Sequence, residues 1–110
     1  MAPARLHLRV DRVDDDPCLW VAGEIDLATA PELVEQATAL VADGPARLLL
    51  DFAEVSFLDS SGVAALVSIQ QRAATHGTGL AVRGVAGQIR SVLEMTRMGE
   101  IMTITNGGPD

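Results

Sequence analysis

Three consecutive residues, Asp59, Ser60 and Ser61, place a carboxylate and two hydroxyls directly before a stretch with a helical pattern of apolar residues. Each of them can cap a helix by accepting a hydrogen bond from a backbone N–H group of the first turn. The start of a helix also carries partial positive charge, which favours a phosphate group. Because one residue suffices as a cap, at least one hydroxyl is expected to face solvent or a partner. Spacing alone favours a plain cap over a modified serine, and it does not choose between Ser60 and Ser61.

A buried strand and an amphipathic helix are expected to position these side chains. The apolar run Leu48–Leu50 predicts a short strand that ends at Asp51, followed by a connector carrying Phe57 and Leu58. After Gly62, one broad helical face is apolar apart from Gln70. Its members are Val63, Leu66, Val67, Ile69, Ala73 and Ala74. The unit is therefore strand, loop, hydroxyls and helix start.

The rest of the chain predicts a single α/β domain with a mixed sheet. Leu6, Leu8 and Val10 alternate with polar residues, and an acidic turn separates them from a second strand, so a hairpin is expected. Thr29 and Glu32 have the spacing of a capping box. The remaining predicted elements are strand Cys18–Ile25, a helix ending at Gly44, strand Leu80–Val82, helix Gln88–Met98 and a short strand or tail at Ile101–Ile104. Right-handed β-α crossovers then join parallel strands. The domain is expected to span residues 1–110, with an ordered core of about 5–104.

Composition narrows the classes of function. A net charge of −7 over 110 residues argues against nucleic acid or an anionic membrane as a partner. All eight basic residues are arginine, which removes P-loop and Schiff-base lysine chemistry. Cys18 is the only cysteine, so no internal disulfide forms, and a buried strand position is expected for it. With no apolar leader or spanning segment in this sequence, a cytoplasmic protein is expected.

Four segments of the chain resemble the STAS domain family. They are Gly23–Asp26, Leu50–Asp51, Phe57–Gly62 and Leu93–Thr96, and the likeness extends over roughly Leu6–Ile104. Within that family the chain is most similar to a bacterial anti-sigma factor antagonist. The stretch Asp-Ser-Ser-Gly after an apolar strand and loop is the most specific of these matches.

The resemblance implies a regulatory binding protein that catalyses nothing and needs no cofactor or metal. Such a protein binds an anti-sigma factor that is also a serine kinase, and this binding frees the sigma factor. The kinase phosphorylates the serine that matches Ser60, which breaks the complex, and a metal-dependent phosphatase restores it. The family's aspartate at the end of the second strand matches Asp26, near that serine. The implied partner-binding residues are Asp26, Asp59, Ser60, Ser61 and Gly62.

The charge of a phosphate is consistent with such a switch. A phosphoserine carries about −1.5 to −2 charges at neutral pH. Between Asp59 and Asp26 it would repel an acidic or apolar partner surface, while the helix start would tolerate it without unfolding.

Two positions raise further expectations. The family commonly has glycine where this chain has Arg97, so either Arg97 occupies or borders a left-handed helix end or the helix end moves to Gly99. Gly62 lies in a first helical turn, where alanine is a better helix former. We expect that this glycine lets a partner approach the serines closely.

The same residues suggest four alternative functions: two rest on chemistry at Ser60 or Asp51, and two are other roles of the same fold. The residue pattern argues against a hydrolytic set of Ser60, Asp59 and His76 or His7, because His76 lies roughly 20 Å along the helix and no nucleophile-elbow motif is present. A receiver-like phosphoacceptor at Asp51 lacks the acidic pair and the lysine. The main alternatives keep the fold: a scaffold subunit of a stress-signalling complex, or an accessory subunit of an ABC-type lipid transporter.

Overall fold

The described part of the chain consists of five strands, three α-helices and one 3₁₀ turn. The computed structural model describes residues 6–105. The strands are β1 (Leu6–Val13), β2 (Asp16–Ile25), β3 (Arg47–Leu58), β4 (Gly79–Arg83) and β5 (Thr103–Ile104). The helices are α1 (Ala30–Ala42), α2 (Ser60–Thr75) and α3 (Gly87–Met95), with a 3₁₀ turn at Met98–Glu100.

The five strands form one mixed sheet in the order β1-β2-β3-β4-β5. β1 and β2 are antiparallel, and the three remaining pairs are parallel. Asp14 and Asp15 join β1 to β2 with φ of 54° and 80°, the positive values that a two-residue type I′ turn requires. The predicted hairpin, crossovers and α/β class are therefore confirmed, and the segment Ile101–Ile104 contributes a two-residue strand.

The hydrophobic core lies between one face of the sheet and the helices. Alternate strand residues such as Leu19, Val21, Leu48 and Leu50 are fully buried there. The helices contribute Leu33, Ala37, Val41, Leu66, Ile69, Ala73, Ile89 and Leu93. Ala74, expected on the buried face of α2, is exposed, whereas Ala65 is buried. Within residues 6–105, no helix combines the length and apolar character needed to cross a membrane.

The strand predicted to end at Asp51 continues to Leu58. Its second half pairs with the end of β2, and the register shifts between Trp20 and Ala22 and again between Gly23 and Glu24. Each shift disturbs the two-residue alternation by which a strand is recognised. Beyond Phe52, the buried residues of β3 are therefore three positions apart, at Val55 and Leu58. Because a strand normally buries every second residue, this spacing led the sequence to predict a connector here.

Cys18 is buried on β2, as expected, at 3% exposure. It pairs across the sheet with Leu49 and lies next to Trp20, whose ring is covered by the Arg9 guanidinium at 4.7 Å. Burial raises the pKa of the Cys18 thiol, with the nearby Arg83 charge opposing part of that effect. The thiol is therefore held in its protonated, weakly nucleophilic form.

Arg97 confirms the expectation of a left-handed helix end. Helix α3 stops at Met95, three residues before the predicted end, and Arg97 follows with φ 59° and ψ 34°. The end has therefore not moved to Gly99, which lies inside the 3₁₀ turn. An arginine in this conformation carries the steric strain that a glycine avoids.

Replacing Arg97 by glycine is expected to leave the melting temperature unchanged or raise it slightly. The glycine relieves positive-φ strain of about 1 kcal/mol, and its larger unfolded-state entropy offsets part of this gain. The lost Arg97–Glu100 ion pair is exposed and contributes little. The control is Arg90→Gly inside α3, which should lower the melting temperature. Equal losses for both variants would contradict the strain at Arg97.

Candidate functional site

The site is built where two parallel strands end side by side. Ile25 of β2 pairs with Leu58 of β3, and the Asp59 N–H donates to the Ile25 carbonyl at 3.4 Å. Asp26 and Asp59 come directly after this pair. The fold therefore brings the two predicted carboxylate residues to one edge of the sheet, as the sequence comparison implied.

Asp59 is the cap of α2. Its Oδ1 atom accepts hydrogen bonds from the Ser61 N–H at 2.9 Å and the Gly62 N–H at 3.3 Å. Its backbone is extended, at φ −116° and ψ −167°, as at many helix starts. Of the three predicted capping candidates, the carboxylate takes the role, so neither serine hydroxyl is needed for it.

The two serines differ in exposure. Ser60 is exposed, whereas Ser61 is half-buried and lines a groove between α1 and α2. A kinase or a partner must reach a hydroxyl directly, so Ser60 is the more accessible of the two. The difference in exposure between Ser60 and Ser61 comes from the fold and could not be predicted from their spacing in the sequence.

Asp26 organises the turn that leads into α1. Its Oδ1 accepts hydrogen bonds from the N–H groups of Ala28 at 3.0 Å and Thr29 at 3.1 Å. The Thr29 hydroxyl donates to the Glu24 carbonyl at 2.7 Å and accepts from the Asp26 N–H at 2.9 Å. The Thr29 hydroxyl therefore bonds to the end of β2 instead of capping α1, and the predicted capping box with Glu32 does not form.

Gly62 is buried, and its missing side chain faces the interior. A Cβ atom there would lie 2.1 Å from Leu58 Cδ1 and 3.0 Å from Ile25 Cγ2. The structure thus gives the glycine a different reason from the one expected: it lets α2 approach the ends of β2 and β3. A role for Gly62 as a partner contact stays a prediction.

Gln88 is a supporting residue that sequence reasoning missed. From the first turn of α3, its Oε1 accepts the Leu58 N–H at 3.2 Å and its Nε2 donates to the Leu58 carbonyl at 2.7 Å. The side chain thereby holds the last residue of β3, directly before Asp59 and Ser60. No local signal marks this contact, because the partners are 30 residues apart.

Replacing Gln88 by glutamate is expected to destabilise the domain more than replacing it by methionine. Methionine removes both hydrogen bonds, which costs about 1–2 kcal/mol. Glutamate also sets a carboxylate oxygen against the Leu58 carbonyl, where the amide donates. Urea unfolding compares the two variants with the exposed-site control Ser91→Glu. Similar stability for Gln88→Glu and the control would contradict the contact.

Leu27 is a second residue that sequence reasoning missed. Its side chain is 80% exposed, immediately after Asp26. Together with Pro31 and Val34 of α1 and Ala64 of α2, it lines the groove that Ser61 borders. An apolar groove with an exposed leucine beside the serines is typical of a surface that binds another protein.

The fold separates the candidate catalytic residues. His76 lies at the opposite end of α2, where its Nδ1 is 3.0 Å from the Arg72 carbonyl oxygen. His7 is on the edge strand β1. Within the described part of the chain, no group of three or more His, Cys, Asp or Glu side chains is placed to hold a metal ion. Neither histidine is brought to Ser60.

The strand order, the helix placement and the Asp-Ser-Ser-Gly helix start together define a STAS domain. The chain belongs to this family: a family model described as "Mlab, STAS domain" matches residues 8–104. The anti-sigma-B factor antagonist of Staphylococcus aureus (strain NCTC 8325 / PS 47) is 30% identical over 87 residues, which is 79% of this chain and 81% of that protein.

Solved structures of similar proteins have the same fold. The crystal structure of an anti-sigma factor antagonist from Mycobacterium paratuberculosis superimposes with a TM-score of 0.81 at 30% identity, covering 96% of this chain and 90% of that one. The phosphorylated form of the Bacillus cell fate determinant SpoIIAA shares the fold, with a TM-score of 0.66 at 19% identity over 89% of this chain and 90% of that one.

Proposed function

We propose that this protein is an anti-sigma factor antagonist switched by phosphorylation of Ser60. The unphosphorylated form binds an anti-sigma factor that is also a serine kinase, and so releases the sigma factor. Phosphorylation by that kinase ends the binding, and a metal-dependent phosphatase reverses it. The observation that carries the proposal is the exposed Ser60 at the start of α2, next to a cap supplied by Asp59.

The relatives support the regulatory class. The Staphylococcus aureus protein is named an anti-sigma-B factor antagonist, and the Mycobacterium paratuberculosis protein an anti-sigma factor antagonist. SpoIIAA has been solved in a phosphorylated form. The two relatives at 30% identity cover most of both chains and support the same regulatory role for this domain. SpoIIAA supports the fold.

The local electrostatics support the direction of the switch. The Asp59 carboxylate already occupies the N–H groups of Ser61 and Gly62. A phosphate on Ser60 would therefore meet a neighbouring carboxylate, and the N–H groups of Ser61 and Gly62 are already engaged by that carboxylate. The added negative charge would lie beside the groove between α1 and α2 that Leu27 lines, and it would oppose the docking of an apolar partner surface.

The partner tests the proposed class directly. The tagged protein is used to capture binding proteins from extracts of its source organism, with Ser60→Glu as the matched non-binding bait. Capture of an anti-sigma factor with a histidine-kinase-like ATPase domain by the unmodified bait supports the proposal. Capture of an ABC transporter ATPase instead would reject it in favour of a transporter accessory subunit.

A further inference from the structure

Strand β1 is an edge of the sheet that can accept another strand. Among residues 6–105, it pairs with β2 alone. Its eight residues pair without a bulge and contain no proline. A regular edge of this kind presents backbone N–H and C=O groups to any strand that comes beside it.

The turn determines which of these groups point outward. Val13 and Asp16 flank the two-residue type I′ turn, so they form a hydrogen-bonded pair of the hairpin. Hydrogen-bonded and non-hydrogen-bonded pairs then alternate along the ladder. The N–H and C=O groups of Leu8, Val10 and Arg12 consequently face away from β2.

The side chains of β1 are self-complementary about Val10. Val10 is 49% exposed, so its apolar side chain stands open on the edge strand. Arg9 and Asp11 flank it on the opposite face, with side chains 61% and 59% exposed and Arg9 Nε 3.2 Å from Asp11 Oδ2. Rotation of the strand by a half-turn about Val10 exchanges the positions of the arginine and the aspartate.

We propose that β1 pairs antiparallel with β1 of a second copy of this chain, centred on Val10. The two Val10 residues then exchange a pair of backbone hydrogen bonds, and their exposed side chains cover each other. Arg9 of each copy lies opposite Asp11 of the other, so two favourable charge pairs form. The two five-stranded sheets become one continuous sheet across a twofold axis.

Charge selects this register over its neighbours. Centring the pairing on Arg9 places the two arginines directly opposite each other. Centring it on Asp11 does the same to the two aspartates. Like charges at opposite positions destabilise a strand pair, so the register on Val10 is the favoured one. The inference concerns a surface separate from the serine site and does not depend on the proposed function.

Exchanging the charges tests the pairing. Sedimentation velocity from about 1 µM to about 1 mM protein is expected to show a concentration-dependent monomer–dimer equilibrium. Asp11→Arg alone, or Arg9→Asp alone, sets like charges opposite each other and should raise the dimer Kd at least about tenfold. An equimolar mixture of the two variants should recover the dimer, because each chain then complements the other.

The matched control is Asp43→Arg, which makes the same charge change at an exposed position after α1. It should leave the dimer Kd unchanged, and thermal melts confirm that every variant is folded. A protein that stays monomeric up to about 1 mM would overturn the proposal. So would a mixture of Asp11→Arg and Arg9→Asp that fails to dimerise, or a control that weakens the dimer as strongly as Asp11→Arg.

Discussion

The Gly62→Leu variant is expected to be unfolded or severely destabilised, by about 3 kcal/mol or more. The new Cβ atom alone would lie 2.1 Å from Leu58 Cδ1 and 3.0 Å from Ile25 Cγ2. Both neighbours are fully buried, so neither methyl group has free space to move into. The start of α2 would have to shift away from the ends of β2 and β3.

Urea unfolding with a size series measures this effect. Gly62→Ala should cost less than leucine, because its better helix propensity offsets part of the clash. Gly99→Leu is the control, since a Cβ atom at Gly99 meets no atom within 4 Å. Adding Leu58→Ala to Gly62→Leu should recover part of the loss, because it empties the space that the leucine needs.

A different set of stability and binding results would support the sequence-based expectation that Gly62 lets a partner approach the serines. If Gly62→Leu were as stable as Gly99→Leu but bound its partner poorly, the glycine would serve the partner's approach and not the internal packing. Stability and binding measured on the same preparations separate the two roles.

The Ser60→Ala variant is expected to keep partner binding, and the Ser60→Glu variant to lose most of it. Because Asp59 supplies the cap, removal of the Ser60 hydroxyl should cost less than about 1 kcal/mol of stability. Ser60→Ala should therefore bind the anti-sigma factor and keep binding after ATP is added. Ser60→Glu should bind at least about tenfold more weakly, although a carboxylate carries less charge than a phosphate.

Calorimetric titration with the purified anti-sigma factor, with and without ATP, measures these affinities. Ser91→Glu introduces the same charge on an exposed part of α3 and should bind normally. Loss of Ser60→Ala binding on addition of ATP would show that another residue carries the switch.

The features that the sequence predicted correctly are local ones. An acidic turn between two strands and a cap before a helix each depend on residues within a few positions of each other. Such interactions need no partner from elsewhere in the chain. A cap at the start of α2 was predictable for this reason, and the structure selects Asp59 among the three candidates. The left-handed Arg97 was one of the two outcomes implied by the family's glycine at this position.

The features that were missed or misread are set by distant residues. The full length of β3 depends on its pairing with β2, against which β3 carries two extra residues, and these bulges shift the alternation of its buried residues. The need for glycine at position 62 comes from Leu58 and Ile25, which only tertiary packing brings close. Gln88 reaches across 30 residues to hold the strand end, so its polar side chain had no local meaning.

The difference in exposure between Ser60 and Ser61 is also set by residues that are distant in the sequence. Both have the same residue type and adjacent positions, and spacing alone could not rank them. The rotation of α2 against α1 turns Ser61 toward the groove and leaves Ser60 in solvent. Ser60 as the modified residue therefore stays a prediction, now with a structural reason.

The site of phosphorylation tests this assignment most directly. The purified protein is incubated with its anti-sigma factor kinase, ATP and magnesium, and the phosphate is located by tandem mass spectrometry. A single phosphate on Ser60, absent from the Ser60→Ala variant, is the expected result. Phosphate on Ser61, or none with a kinase that binds the protein, would contradict it.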